Sequence, residues 1–186
     1  MDATDFVLLA LHAVGKKIQG KTKLQKTIYF LGLMTGHLDN LGYRAHYYGP
    51  YSDDVADAVN RLRSVGFVDQ SAAGCGTVGK SGFEVCRYDF RLTDDGRQIA
   101  EAKAAEMPDV WKKLQRAVAA LGKAGDLDYV RLSIAAKTYF MLGKKKGEAT
   151  MAELAGLARR FGWKVTSHQV KEAAQYLSRL GLVKLN

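Results

Sequence analysis

Phe83 to Leu92 alternates in β fashion through Phe83, Val85, Arg87, Asp89 and Arg91, and it interrupts a chain whose other strong signals are helical. With Phe67 and Val68 opening an earlier strand and residues 74–82 rich in glycine, it predicts one β-hairpin with a long tip. Three helical patterns precede it. Phe6, Leu9 and Ala13, with Leu8 and Leu11 broadening the stripe, place a helix over 2–17 that ends near Gly15. Thr22 with Gln25 reads as a capping box opening a helix over about 23–35, with Leu24, Ile28 and Leu31 on one face. Tyr43 to Tyr48 is short and β-prone. After the Gly49-Pro50 turn, Ser52 is a good N-cap, and Asp53 and Asp54 suit the helix dipole; Val55, Val59 and Leu62 follow in register up to Gly66. Thr93 caps a further helix through Ile99 and Ala100. Helix, helix, helix, hairpin, helix is the order of a winged helix, which assigns residues 1–106 to an N-terminal winged-helix domain.

Residues 107–186 read as a helical C-terminal region. Pro108 suits the first position of an amphipathic helix carrying Val110, Leu114, Val118 and Leu121 opposite Lys112, Lys113 and Arg116. Residues 127–142 are apolar nearly all round, as in a central buried helix or an oligomer interface. Thr150 with Glu153 and Thr166 with Gln169 are capping boxes opening helices near 151–161 and 167–180, joined by a turn at Gly162: a second helix-turn-helix. LRSVGFV at 62–68 and LSRLGLV at 177–183 echo one another, as any helix stopped by glycine before a short strand would. The expected fold class is therefore mainly α with a small β-hairpin wing (α+β), a winged helix-turn-helix followed by a helical region with a second helix-turn-helix.

Composition narrows the function classes. In 186 residues, 47% apolar with two prolines and no low-complexity tract, disorder is not the main story. No apolar run approaches the ~18–20 residues that a membrane span requires, so a soluble cytoplasmic protein is expected. Cys75 and Cys86, eleven apart without a CxxC, suggest reduced thiols rather than a disulfide framework or a zinc site. His12, His37, His46 and His168 never fall at ligand or catalytic spacing, so no enzyme and no cofactor is expected. The spacing of a phosphate-binding loop occurs twice by letter, at Gly15 to Thr22 and Gly74 to Ser81. The first would be filled by bulky Lys16, Lys17, Ile18 and Gln19, and the second leads into a strand rather than a helix. A nucleotide-using enzyme is accordingly the weakest reading. The aromatic run Tyr43, His46, Tyr47, Tyr48 and Tyr51 suits base stacking or a packed edge.

Charge points to a partner. The net +9 favours polyanions through counterion release. It is concentrated in three acid-free stretches: Lys16, Lys17, Lys21, Lys23 and Lys26; then Arg131, Lys137 and Lys144 to Lys146; then Arg159, Arg160, Lys164 and Lys171.

KLQKTIYFL at Lys23–Leu31, YYGPYS at Tyr47–Ser52 and RLGLV near the end resemble a largely uncharacterised family of bacterial, archaeal and phage-associated winged-helix proteins, related to antitoxin-like domains of the SocA or Panacea type. FRLTDDGR, Phe90–Arg97, is similar to the strand-to-helix junction of many winged-helix regulators. The resemblance implies a winged-helix fold and a regulatory or toxin–antitoxin setting, and it supplies no catalytic residues.

In a winged helix the third helix normally enters the major groove. Here its first turns carry Asp53, Asp54 and Asp57, which phosphates repel. The helix from 167 is better equipped, with Ser167, His168, Lys171, Gln175 and Arg179 along one side. Arg159, Arg160 and Lys164 are placed to anchor the backbone, and Lys23 and Lys26 to add phosphate contacts. The expectation is a homodimeric regulator of double-stranded DNA. The alternative is an antitoxin-like or adapter module that binds a protein partner through its N-terminal unit.

Overall fold

The computed structural model describes residues 1–78, 84–145 and 148–185. The described residues form eight α-helices and a three-stranded antiparallel sheet against which the first four helices pack, a mainly helical α+β architecture. In chain order these are α1 (Ala3–Val14), β1 (Ile18–Gln19), α2 (Lys21–Thr35), α3 (Asp53–Ser64), β2 (Val68–Val78), β3 (Glu84–Leu92), α4 (Asp94–Glu106), α5 (Pro108–Ala124), α6 (Tyr129–Lys144), α7 (Met151–Arg160) and α8 (Ser167–Arg179), with a 3-10 turn at Leu38–Leu41. The glycine-rich tip expected over 74–82 lies from residue 79 onward outside the described residues, as do Lys146 and Gly147 of the second basic stretch.

Local chemistry explains most helix boundaries. The Ser52 hydroxyl accepts from Val55 N, and the Thr93 hydroxyl from Gly96 N. Thr150 with Glu153 and Thr166 with Gln169 form complete capping boxes. The Thr93 hydroxyl also donates to the Gly66 carbonyl, and Thr93 N–H to the Phe67 carbonyl. Gly96 lies directly under that carbonyl, and any Cβ there would collide with it. LTDDG is thus the lock between the end of the hairpin and the strand that opens it.

Three local expectations are corrected, and one strand is added that the sequence did not suggest. Thr22 does not cap α2: the helix starts at Lys21 behind Gly20, two residues before the expected start, and Gln25, the other half of the expected box, is drawn away to the Ser52 backbone. Residues 43–48 do not form a strand, only an isolated bridge between Arg44 and Tyr51, because side chains from α6 and from the α7–α8 turn take the carbonyls that a ladder would use. A two-residue strand goes unforeseen, β1, which pairs Ile18 with Phe90 and Gln19 with Asp89 and makes β3 the central strand. Cys86 is disulfide-bonded rather than a reduced thiol, on an antiparallel ladder that brings distant positions alongside one another.

Burial also departs from the expected stripes. Helix α1 is covered almost all round, with Phe6, Val7, Leu9 and Ala10 at or near zero exposure between α3, α4 and α5; it, rather than α6, is the central helix of the first core. That core also takes Leu114 and Ala117 from α5, while α2 lends Tyr29 and Phe30 to a second core under α6 and α8. The packing is therefore continuous across residues 106 and 107. A third cluster, Met141, Leu154, Ala158, Trp163 and Val170, joins α6, α7 and the start of α8. No helix among the described residues is long and apolar enough to cross a membrane.

Candidate nucleic-acid interface

Helix α8 lays Val170, Ala173, Tyr176 and Leu177 against α6, and the period of 3.6 then leaves Ser167, His168, Lys171, Gln175 and Arg179 exposed. Arg159 and Arg160 end α7, and Lys164 sits in the turn between the two helices; all three are exposed. Trp163, 3% exposed, anchors that turn, its indole N–H donating to the His46 carbonyl at 2.6 Å. Among the described residues, Arg159, Arg160, Lys164 and Lys171 have no carboxylate within ion-pair distance. At ~1.5 Å rise per residue α8 is roughly 20 Å long, a little over half of the ~34 Å of one duplex turn.

Other sequence-selected residues are committed elsewhere. The Arg179 guanidinium donates to the Ala124 carbonyl at 3.2 Å and lies 5.7 Å from the Tyr176 ring centre. Burial pushes the Tyr176 hydroxyl up to about 12, against the opposing pull of Arg179. His168 approaches Glu172 at 3.6 Å, and Arg131 approaches Asp128 at 3.9 Å, so two acids border this face. Gln175 and Arg179 line a groove against the start of α6 that Arg131 also borders. Arg131 thus joins this surface through tertiary packing, although nothing local in the sequence links it to α8.

Lys23 and Lys26 do not extend this face. Lys23 pairs with Asp126 at 2.8 Å. Lys26 is 1% exposed, so the expectation that it meets phosphates is corrected: its ammonium donates to the Pro50 carbonyl at 2.5 Å. Burial first, and then the nearby Lys137 charge, lower the Lys26 ammonium to about 8. Beside it Gln25 makes a two-way bond with Ser52, donating to its carbonyl at 2.8 Å and accepting from its N–H at 3.1 Å, and the Tyr43 hydroxyl donates to the Gln25 carbonyl at 2.7 Å. The KLQK and GPYS stretches are two halves of one buried clamp.

The clamp shapes a second surface. Lys26 holds Pro50, the Ser133 hydroxyl donates to the Tyr48 carbonyl, and Trp163 holds the His46 carbonyl. The backbone from 46 to 50 is thereby stapled by α2, α6 and the α7–α8 turn, while Tyr47 and Tyr48 stand 65% and 60% exposed, edge to face at 4.9 Å. Helix α3 carries its acids outward, as its sequence implies: Asp53, Asp54 and Asp57 are exposed, and Asp53 pairs with Arg44.

No family model matches the chain. Over 103 residues the chain is 28% identical to a Bacillus subtilis (strain 168) protein described as "Uncharacterized protein YwgA", an alignment covering 55% of this chain and 57% of that protein. The match thus spans a little over half the length of that relative.

Proposed function

We propose that the chain is a double-stranded DNA-binding regulator, acting as a homodimer, in which α7, the Gly162 turn and α8 form the reading helix-turn-helix. The observation that carries this reading is the group of four exposed, unpaired cations Arg159, Arg160, Lys164 and Lys171 around the start of α8. Gln175 and Arg131 lie within reach of the same surface as edge-reading and backbone-contacting groups. The element order through α4, with a sheet ordered β1-β3-β2, supports reading the N-terminal part as a winged helix. Its acidic α3 supports a structural rather than a groove-reading role for that part. In this reading the protein is cytoplasmic, needs no cofactor and performs no catalysis, and the SocA or Panacea likeness reflects shared architecture.

A second reading is favoured by one observation. The rigidly held and exposed Tyr47 and Tyr48, near acidic α3, suit an antitoxin-like or adapter contact with a protein.

Fluorescence anisotropy with a labelled random duplex separates the two readings. Four to five phosphate contacts predict that affinity falls by about 10²-fold or more between 50 and 200 mM salt. Paired Arg160→Glu and Lys171→Glu substitutions should abolish binding while leaving the circular dichroism unchanged. Binding that is absent, or flat with salt, rejects the DNA reading in favour of the adapter.

A further inference from the structure

A cavity of about 360 Å³ opens where the loop after α1, the start of α2, the α5–α6 connection and α8 meet. Its floor is apolar: Phe30 from α2, Val118 and Leu121 from α5, Leu132 from α6, with Tyr176 of α8 along one side. Its mouth is cationic, because Lys16, Lys17 and Lys23 line it against a single carboxylate, Asp126. That carboxylate serves two ammonium groups, Lys23 at 2.8 Å and Lys16 at 3.5 Å. Lys17 is held in place from behind by buried Asp89, 3.0 Å away. Three lysines less one aspartate leave the lining at +2, and Gln19 and Thr27 add uncharged hydrogen-bonding groups.

The volume falls in the range of roughly 300–1,000 Å³ typical of small-molecule sites, and so does the pairing of an apolar body with a few convergent polar groups. An inorganic anion would satisfy the lysines and leave the hydrocarbon floor wet. A neutral apolar molecule would cover the floor and strip water from cations without giving them a partner. Only a molecule with both parts satisfies both surfaces. We propose that this cavity binds a small amphipathic organic anion: an aromatic or aliphatic body resting on Phe30, Leu121 and Leu132, with a phosphate, sulfonate or carboxylate group received by Lys16, Lys17 and Lys23. Asp126 competes with that group for the same ammonium groups. Ligand binding stands independently of the DNA reading.

The test uses two fluorescent probes of similar shape in the absence of DNA: 1-anilinonaphthalene-8-sulfonate, an anion, and N-phenyl-1-naphthylamine, its uncharged counterpart. The anion should bind at one site and at least tenfold more tightly than the neutral probe. Lys16→Met and Lys23→Met should each weaken the anion by about tenfold, and Asp126→Asn should tighten it several-fold, since removing a charge a few ångströms from the head group changes affinity by that order. None of the three should alter the neutral probe. Circular dichroism and urea midpoints verify folding. Should Lys23→Met unfold the chain, the exposed Lys16 and Asp126 still give predictions of opposite sign. Anion affinity equal within twofold across wild type and variants, or a neutral probe binding as tightly as the anion, overturns the proposal.

Discussion

Replacing Lys26 by methionine isolates the effect of burying an ammonium at the centre of the clamp. Lys26 is 1% exposed, and its ammonium is lowered from 10.5 to about 8 by burial and by Lys137. At ~1.36 kcal/mol per pH unit, that gap of about 2.5 amounts to about 3 kcal/mol of penalty for holding the charged form in the fold. Below about pH 8 the group is charged in both the folded and the unfolded chain, and the full penalty is carried. Above pH 8 the folded protein sheds the proton first. The unfolded chain then binds more protons, so stability climbs until it too deprotonates near 10.5. Of the total, about 2 kcal/mol should be recovered between pH 7 and 9.5. Methionine keeps most of the stem volume but leaves the Pro50 carbonyl without its donor, a loss of about 1–3 kcal/mol that does not vary with pH. Urea unfolding of both proteins at half-unit pH steps reads the effect as a difference, in which the contributions of Lys137 and the raised tyrosines largely cancel. Wild type should gain about 2 kcal/mol on Lys26→Met across the window. Parallel curves for the two proteins would refute a buried, proton-shedding Lys26.

Other substitutions probe the remaining joints. Gly96→Ala drives a Cβ into the Phe67 carbonyl, which is backbone and already bonded to Thr93 N–H; a loss of about 3 kcal/mol or more in urea unfolding is expected, against no more than ~1 kcal/mol if the site were open. Trp163→Phe keeps an aromatic ring in the third core but deletes the donor to the His46 carbonyl, and should cost about 2 kcal/mol and loosen the tyrosine loop, read as a lower urea midpoint and faster amide exchange over 46–50. Asp89 is buried; burial alone would raise its carboxyl, but hydrogen bonds from Lys17 and Arg87 outweigh that and hold it below the usual range. A depressed carboxyl contributes stability above its unfolded value and loses it as pH falls through the folded one. Asp89→Asn should therefore be less stable at pH 7 and show a shallower acid decline than wild type, measured by thermal melts from pH 7 to 2.5.

Features set by neighbours within four residues were legible in the sequence. Ser52 and Thr93 cap their helices, the two capping boxes close as their letters imply, Pro108 opens α5, and the hairpin stands where the period changes. The polar face of α8 follows equally directly from its period, because a helix fixes the relative direction of its own side chains. Partners far along the chain were decided only by the tertiary structure. Lys26 reads as a surface cation until the Pro50 carbonyl, 24 positions on, accepts its hydrogen bond; Gln25 reads as a cap until Ser52, 27 on, claims it. Tyr43 to Tyr48 reads as a strand until Ser133 and Trp163, 85 and 117 positions from their acceptors, take its carbonyls. Lys16 and Lys23 count toward the net charge in sequence, yet Asp126, more than a hundred residues away, takes up part of it and sets them around a cavity. Composition fixes how many charges a chain carries; which of them remain free for a partner depends on the distances that folding sets between groups the chain itself keeps apart.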